Sequence, residues 1–411
     1  MIMFVRLSRW FIITTLSCLC LLLLAPMAVH ADGGAPNRAY IAGVTKGIGI
    51  IDIPQQKIID HIAVPGNPNM ILLSLDGNYL YATEPQLKRV AIIIAGTGQT
   101  FCVASVPGHP TLLALDPNAN ILFVASNDAS SVTSIDPDNC HVKHVFQLNK
   151  PVYGIGVAAV GTSLSPNSGN QLWVADSSEL TVFDDIKGTQ IQQIPVPEGP
   201  RYISIPPGSA VYATTQQGSV ISVDLNTYKV LTLISGGSYS LMDYDQNTGE
   251  IYVPDQKNHQ LVVLEPVNAG FALPSEPGRT IPLEAIPTSV AVTSDGQLAF
   301  VALESGKVVM LDIPAHQITN TFDVGGNPRF IITGLNPPVF SATPQQAHTL
   351  QTVITVVAYV IVAILLVVPI ILFRRYAKAH RDELDEQDQL PDVGNEDITK
   401  THPEAGQREI E

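Results

Sequence analysis

A short strand-like segment with an aromatic residue near its centre recurs along the chain. Two of its copies read Leu80-Tyr81-Ala82-Thr83 and Leu122-Phe123-Val124-Ala125. The aromatic residues of seven such segments are Tyr40, Tyr81, Phe123, Trp173, Tyr212, Tyr252 and Phe300. Consecutive copies therefore lie 39 to 50 residues apart. A period of this length is typical of repeat proteins, whose units bury their hydrophobic faces only against neighbouring units.

Each period holds further strand-like segments in a fixed order. The aromatic segment is followed by an alternating one that ends in an acid, such as Val220–Asp224, and then by a third, such as Lys57–Val64. A turn with glycine and proline, such as Pro65–Pro68, opens a fourth segment, which closes on a turn such as Asp76-Gly77. Four short strands in a period of about forty residues predict one blade of a β-propeller.

The repeat unit resembles the YVTN-type β-propeller repeat. That pattern runs from a Tyr-Val-Thr-Asn-like strand through Val-Ile-Asp to Val-Gly-x-x-Pro and a Pro-Asp-Gly turn, and the likeness extends over residues 37–335. Two units depart from it, because the strand end at Ile93–Ala95 has no acid and Ser238 replaces an inner proline. The resemblance implies a propeller fold and no particular activity, since these repeats occur in proteins with different roles.

The two ends of the repeat array are incomplete in complementary ways. The first unit begins with its aromatic strand, whereas the last unit ends with an additional opening strand, Pro328–Thr333. Pairing of the two ends would complete one blade and remove two open sheet edges that invite aggregation. We therefore predict an all-β domain over residues 32–335, a seven-bladed β-propeller closed by N- and C-terminal strands in one blade.

A hydrophobic segment near the C-terminus predicts a membrane anchor. Residues 350–373 carry no charge, and two arginines follow at once. A helix of about 20 apolar residues spans a bilayer, and cations beside it favour the cytoplasm. We predict a stalk over 336–348, a transmembrane helix over 349–373, and a cytoplasmic, acidic and disordered tail over 374–411.

The N-terminus predicts export. Two arginines precede the apolar stretch Trp10–Ala25, and Val29-His30-Ala31 supplies the small residues that a signal peptidase accepts. We predict a signal peptide over residues 1–31, with an uncleaved anchor or a lipoprotein signal at Cys18 or Cys20 as alternatives. The propeller is then expected outside a cell membrane that the chain crosses once.

The charge of the predicted exported region excludes one class of function. Residues 32–348 contain 26 acidic and 14 basic residues, and the basic residues are not clustered. A nucleic-acid groove needs clustered lysine and arginine to neutralise phosphates. We therefore predict no nucleic-acid partner.

Two cysteines remain once a signal peptide is removed. Cys102 and Cys140 lie in corresponding parts of consecutive repeats, and an oxidising exported compartment permits a disulfide between them. The alternative is two separate buried thiols, since free cysteine is commonly buried.

Motifs for metal and cofactor chemistry are scarce. The histidines occupy different phases of the repeat, so we expect no metal site and no bound cofactor. The segment Asp243–Glu250 alternates oxygen-bearing residues as a calcium loop does, but the same residues suit a hairpin turn. In the predicted exported region no Gly-x-Ser-x-Gly motif marks a nucleophilic serine.

One face of the predicted ring holds the candidate site. Residues just after the inner turns are expected to surround the mouth of the central channel, where loops on a rigid scaffold can bind a ligand. These residues are Asn69, Thr111, Arg201, Tyr239, Thr288 and Arg329. Arginine beside tyrosine suits a carboxylate or a sugar, although the two arginines could instead pair with acids such as Glu198 and Asp323.

The sequence favours a binding function over an enzymatic one. We predict a single-pass surface protein whose propeller binds or scaffolds an external ligand, a cell-wall component or a partner protein. An extracytoplasmic lactonase-like hydrolase is the main alternative, because propellers that hydrolyse lactones share this architecture. A redox propeller that holds a quinone or haem noncovalently is a third reading.

Overall fold

The computed structural model describes residues 37–116, 118–160, 170–208, 210–268, 270–274, 278–334 and 374–375. The chain divides into two units, 1–338 and 339–411, and the two described residues of the second unit are helical and exposed. The predicted signal peptide, stalk and transmembrane segment lie outside the described residues, as does the tail beyond 375. Within the described part of the chain, no helix is long and apolar enough to span a bilayer.

The described residues form one short 3-10 helix, Pro85–Leu87, and 28 β-strands. The first fourteen strands are β1 Arg38–Val44, β2 Gly47–Asp52, β3 Lys57–Ile62, β4 Ile71–Leu73, β5 Tyr79–Glu84, β6 Arg89–Ile94, β7 Thr100–Ser105, β8 Pro110–Asp116, β9 Ile121–Ser126, β10 Ser131–Asp136, β11 His141–Gln147, β12 Gly154–Ala158, β13 Gln171–Ala175 and β14 Glu179–Asp184. The others are β15 Gln190–Pro195, β16 Pro200–Ser204, β17 Ala210–Thr215, β18 Ser219–Asp224, β19 Val230–Ser235, β20 Asp243–Tyr244, β21 Ile251–Asp255, β22 Gln260–Leu264, β23 Arg279–Pro282, β24 Pro287–Val292, β25 Leu298–Leu303, β26 Lys307–Asp312, β27 Gln317–Asp323 and β28 Phe330–Gly334.

These strands form seven four-stranded antiparallel sheets, which are the blades of a β-propeller. Blade 1 has the strand order β28-β1-β2-β3, and blades 2 to 7 each take the next four strands of the chain. The first strand of a blade lies innermost, because it contacts the first strands of adjacent blades, as β28 contacts β4 and β24. The fourth strand lies on the outer rim, where β3 and β11 expose most of their residues. The prediction of an all-β, seven-bladed propeller is confirmed.

Blade 1 contains strands from both ends of the repeat array, as their incomplete units predict. Strand β28 pairs with β1 in antiparallel register, with Ile332 opposite Tyr40 and Ile331 opposite Ile41. The backbone N–H of Asn37 donates to the carbonyl of Gly334 at 3.1 Å and extends this ladder by one bond. Closure therefore consists of main-chain hydrogen bonds that neither chain end can form alone.

The aromatic residues of the repeat fill the spaces between blades. Trp173, Tyr252 and Phe300 are completely buried. Phe300 of blade 7 packs in one cluster with Ile41 and Ile51 of blade 1. Burial of a side chain of this size stabilises the fold by about 1.5–3 kcal/mol. The repeated aromatic residue thus holds neighbouring blades together.

The acid that ends the third strand of a blade organises the following turn. Asp224 Oδ1 accepts hydrogen bonds from the backbone N–H groups of Asn226 at 2.9 Å and Thr227 at 2.7 Å. The hydrogen bond from Thr227 is the largest of the effects that hold the pKa of Asp224 below its usual range. Asp184 accepts from the backbone of Lys187 at 2.6 Å in the same way. The repeated acid is therefore a turn residue that leads the chain to the outer strand.

A disulfide joins Cys102 and Cys140. Cys102 lies in β7, the outer strand of blade 2, and Cys140 lies in the turn before β11, the outer strand of blade 3. The bond therefore links the outer rims of two adjacent blades, on the opposite side of each blade from its innermost strand.

Two buried carboxyl groups meet between blades 3 and 4. Asp116 ends β8 and Asp185 follows β14, and their exposed fractions are 0% and 2%. Asp116 Oδ1 accepts hydrogen bonds from the backbone of Asn118 at 2.8 Å and from Asn170 Nδ2 at 2.9 Å. Asp116 Oδ2 and both carboxyl oxygens of Asp185 meet no N–H or hydroxyl donor.

We predict that the two carboxyl groups share a proton. Burial, and then the hydrogen bond and charge of Asp116, raise the pKa of Asp185 to about 8. Burial also disfavours the charged form of Asp116, but hydrogen bonds from Asp185 and Asn170 outweigh it and lower the pKa of Asp116. Asp185 is therefore protonated at neutral pH and donates to the Asp116 carboxylate.

This pair predicts a stability that falls as the pH rises from about 4 to about 8. In this window Asp185 is protonated in the folded chain and ionised in the unfolded chain, so unfolding releases a proton. Above this pH range Asp185 is ionised in both the folded and the unfolded chain, so the loss of stability is complete. Denaturant unfolding of the full chain at several pH values measures the slope.

Asp185→Asn is expected to flatten this dependence and to raise the free energy of unfolding at pH 8 by a few kcal/mol, because its amide donates to Asp116 without ionising. Asp138→Asn, which removes an exposed carboxylate, serves as the control and should keep the slope. An unchanged slope in Asp185→Asn would show that the two carboxyl groups do not share a proton.

Candidate functional site

Strand register places the predicted site residues on one face of the ring. The start of each innermost strand pairs with the end of the aromatic strand beside it, as in Pro110 with Ser126, Pro200 with Thr215 and Pro287 with Leu303. Residues at the start of the innermost strands and the loops after the aromatic strands therefore share one end of the propeller. We call this end the mouth face.

Three of the predicted residues occupy β-bulges. Pairing between innermost and aromatic strands is interrupted directly after Pro110, Pro200 and Pro287. Thr111 and Thr288 are each the single residue left without a pairing partner, and Arg201 lies in the corresponding gap of blade 5. A bulge bends the strand and redirects a side chain, so these residues leave the regular pleat at the mouth.

A threonine at the end of the aromatic segment fixes the same strand starts. Thr83 Oγ1 accepts hydrogen bonds from the backbone N–H groups of Asn69 at 3.3 Å and Met70 at 3.0 Å. Thr214 Oγ1 accepts from Tyr202 at 3.2 Å in blade 5. Sequence reasoning missed this role, although the recurrence of Tyr-Ala-Thr in these two repeats was a usable signal.

Hydrogen bonds join the mouth residues of blades 1, 2 and 3. Arg329 Nη1 donates to Asn69 Oδ1 at 3.3 Å, and Asn69 Nδ2 donates to the carbonyl of Thr111 at 3.0 Å. Thr111 Oγ1 in turn donates to Asn127 Oδ1, at 3.0 Å, in the loop after the aromatic strand of blade 3. Asn69 and Thr111 are half-buried and Arg329 is exposed.

Blades 6, 7 and 1 are linked in a similar way. Ser240 Oγ donates to the carbonyl of Thr288 at 2.6 Å, and Thr288 Oγ1 donates to the carbonyl of Pro328 at 2.8 Å. Tyr239 is buried, and burial followed by the charge of Asp255 raises the pKa of its hydroxyl. A Cβ on Gly237 would lie 2.4 Å from Cζ of the Tyr239 ring, so this position requires glycine.

Arg201 stands apart from these links. Its guanidinium lies over the ring of Tyr153 in blade 4, 5.5 Å from the centroid, and its Nε is buried without a hydrogen-bond partner. Gly154 allows this approach, since a Cβ there would lie 1.7 Å from the carbonyl oxygen of Arg201. Cation–π stacking holds the guanidinium plane without using its N–H donors.

The pairing of the two mouth arginines with neighbouring acids is not observed. Glu198 accepts hydrogen bonds from Ser219 and Thr215 instead. Among the described residues, no carboxylate lies within ion-pair distance of Arg201 or Arg329. The hydroxyl groups beside Glu198 therefore provide the hydrogen bonds to that carboxylate, and the guanidinium of Arg201 does not.

A polar cavity of about 200 Å³ lies at the mouth face between blades 5 and 6, and we call it the blade 5/6 pocket. Two of the predicted residues, Arg201 and Tyr239, line it together. The remaining lining residues are Tyr202, Thr215, Gln216, Gln217, Gly218, Gly237, Ser238 and Gln256. The six predicted residues therefore divide into a hydrogen-bonded group and this pocket.

A histidine and an aspartate are coupled on the same face. His109 Nδ1 lies 2.6 Å from Asp128 Oδ2, and the His109 backbone N–H donates to Asp128 Oδ1 at 2.8 Å. The backbone hydrogen bond, followed by the side-chain one, lowers the pKa of Asp128. Such contacts fix the orientation of an imidazole, and about half of the His109 side chain is exposed.

The calcium candidate is a turn in the structure. Asp245 Oδ1 accepts from the backbone of Asn247 at 2.9 Å, and Asp245 Oδ2 accepts from Thr248 Oγ1 at 2.8 Å. Asp243 Oδ2 accepts from the backbone of Val292 at 2.8 Å, and Glu250 accepts from Tyr252 at 3.0 Å. In the described ranges, no three His, Cys, Asp or Glu side chains gather as metal ligands would.

No model of a known protein family and no curated protein matches the chain. Its fold is similar to the periplasmic gluconolactonase of Pseudomonas aeruginosa, with 17% identity, a TM-score of 0.59 and coverage of 74% of this chain and 100% of that one. A putative 6-phosphogluconolactonase of Bacteroides fragilis has 13% identity and a TM-score of 0.59, with coverage of 74% of this chain and 99% of that one. Apo AztD of Citrobacter koseri has 12% identity and a TM-score of 0.55, with coverage of 73% of this chain and 98% of that one. Identities this low show a shared fold and nothing further.

Proposed function

We propose that this chain is a membrane-anchored, extracytoplasmic propeller of the YVTN-repeat type that binds an external ligand or partner through its mouth face. The uncharged segment 349–373 and the arginines after it support the anchor. The apolar N-terminal segment before Ala31 supports export. The recurring aromatic, acid and proline positions support the repeat type.

One observation carries the binding proposal. Arg201 and Arg329 present guanidinium groups at the mouth face with no carboxylate partner among the described residues. Acidic residues outnumber basic ones almost two to one between residues 32 and 348, so a carboxylate for each arginine was readily available. Cations that no carboxylate of the chain neutralises can form charge-assisted hydrogen bonds to a group from outside the chain.

The anchor predicts that the full chain stays in the membrane fraction after an alkaline carbonate wash, whereas a chain that ends at residue 348 is released. The full chain stays because its segment of about 25 uncharged residues is more stable in hydrocarbon than in water. Fractionation followed by immunoblotting measures it. Release of both chains would remove the anchor from the proposal.

Mouth-face binding predicts glycan recognition that depends on the two arginines. The full chain, purified in detergent, is applied to a glycan array beside the double variant Arg201→Gln, Arg329→Gln. We expect the double variant to lose roughly tenfold or more in affinity, because each charge-assisted hydrogen bond contributes about 1.5–3 kcal/mol. Lys143→Gln, on the outer strand β11, also removes one positive charge and is therefore the control for the loss of charge at one of the two arginines. Equal binding by all forms would place the ligand elsewhere.

A hydrolase is the second candidate, and the His109–Asp128 pair is the observation that favours it. An oriented imidazole on an exposed face is suited to general base catalysis. The gluconolactonase and the putative 6-phosphogluconolactonase share the fold.

The binding proposal predicts that the full chain hydrolyses δ-gluconolactone no faster than buffer does. A pH-stat records the acid released. Hydrolysis that disappears in both His109→Gln and Asp128→Asn would replace binding by the hydrolase as the function of this face, provided that both variants melt at the temperature of the parent chain.

A further inference from the structure

We infer that the blade 5/6 pocket binds the carboxylate of a hexuronic acid, with Arg201 as the carboxylate-binding residue. The inference rests on the proposed function, because it names the ligand class for the mouth face. Its starting point is that Arg201 lines this pocket and has no carboxylate partner among the described residues. A guanidinium without a carboxylate partner of its own can form charge-assisted hydrogen bonds to a carboxylate that a ligand supplies.

The guanidinium is oriented before any ligand arrives. The guanidinium carbon lies 5.5 Å from the centroid of the Tyr153 ring, and this contact uses none of the N–H donors. A planar fork of N–H donors matches the two oxygens of a carboxylate better than any single point charge does. Because the plane is held by stacking, binding loses less side-chain freedom than it would with an unsupported arginine.

The acids nearest to the pocket do not compete for this cation. Glu198 is bound by the hydroxyl groups of Ser219 and Thr215. Asp255 accepts from the backbone N–H of Ser238 at 3.1 Å and from Asn258 Nδ2 at 2.6 Å. Each carboxylate is thus compensated by its own donors, and the anion that satisfies Arg201 must come from outside.

The remaining lining is suited to hydroxyl groups. Gln216, Gln217 and Gln256 supply side-chain amides that both donate and accept, and Tyr239 adds a ring with a hydroxyl. Apart from two tyrosine rings the lining has no large apolar side chain, so an amino-acid side chain would find little hydrophobic contact. A volume of about 200 Å³ suits a single sugar ring. A hexuronic acid carries a carboxylate and vicinal hydroxyls on one ring of this size.

Calorimetry on the full chain in detergent tests this with a matched pair of sugars. Galacturonate and galactose differ only in the carboxylate, so we expect galacturonate to bind roughly ten- to a hundredfold more tightly, the range of a charge-assisted hydrogen bond. The preference should shrink as salt is added. Polygalacturonate in a parallel titration distinguishes a free sugar acid from a polysaccharide as the source of the group.

Variants assign the effect to Arg201. Arg201→Gln is expected to abolish the preference for galacturonate, and Arg201→Lys to retain a reduced one, because lysine keeps the charge and loses the fork. Lys143→Gln should leave both affinities within about twofold. If Arg201→Gln does not fold, Arg201→Lys provides the test, because an unchanged preference for galacturonate in that variant would contradict the assignment to Arg201.

The outcomes separate this inference from the proposed function. Equal affinity for the two sugars, with binding still lost in the mouth-face double variant, overturns the carboxylate assignment and leaves the proposed function intact. A galacturonate preference that survives Arg201→Gln also overturns it. Absence of binding to every glycan and sugar overturns this inference and removes carbohydrates as ligands of the mouth face, which leaves a partner protein as the form of the proposed function.

Discussion

Closure of the ring depends on the pairing of β28 with β1, and the candidate site depends on closure. A blade cannot bury both of its faces alone, so every aromatic contact between blades requires a neighbour on each side. Blade 1 lacks its innermost strand until the end of the repeat array returns to supply it. Pro328 and Arg329, which connect to blades 7 and 2 at the mouth face, directly precede β28. The pairing that completes the fold therefore also completes the hydrogen-bonded group of the site.

Much of the fold could be predicted because its signals are local and repeated. The aromatic residue marks a strand, the acid marks a turn, and proline marks the start of an innermost strand, so the phase of one unit fixes the others. The site was predictable to the same extent, since Thr111, Arg201 and Thr288 each follow an inner proline. What local signals do not contain is the contact between units. Nothing near Arg201 indicates that Tyr153 of the preceding blade lies under its guanidinium.

The same limit applies to Asp116 and Asp185. Each looks like an ordinary acidic turn residue in the sequence, and their meeting depends on how two adjacent blades pack. Burial then makes it too costly for both carboxyl groups to be ionised at the same time, and the composition of the chain does not indicate this. The calcium candidate shows the opposite case. Its oxygen atoms are used by neighbouring donors, as the alternative turn reading anticipated for residues of these types.

The direction of β28 has a mechanical consequence. The strand starts at the mouth face beside Arg329 and ends with Gly334 opposite Arg38, at the other end of the propeller. Tension applied between the mouth face and Gly334 would run along the strand axis. Antiparallel ladder bonds lie perpendicular to that axis and would be loaded together in shear, not broken one after another. The pairing that closes the ring would therefore resist a pull in this direction.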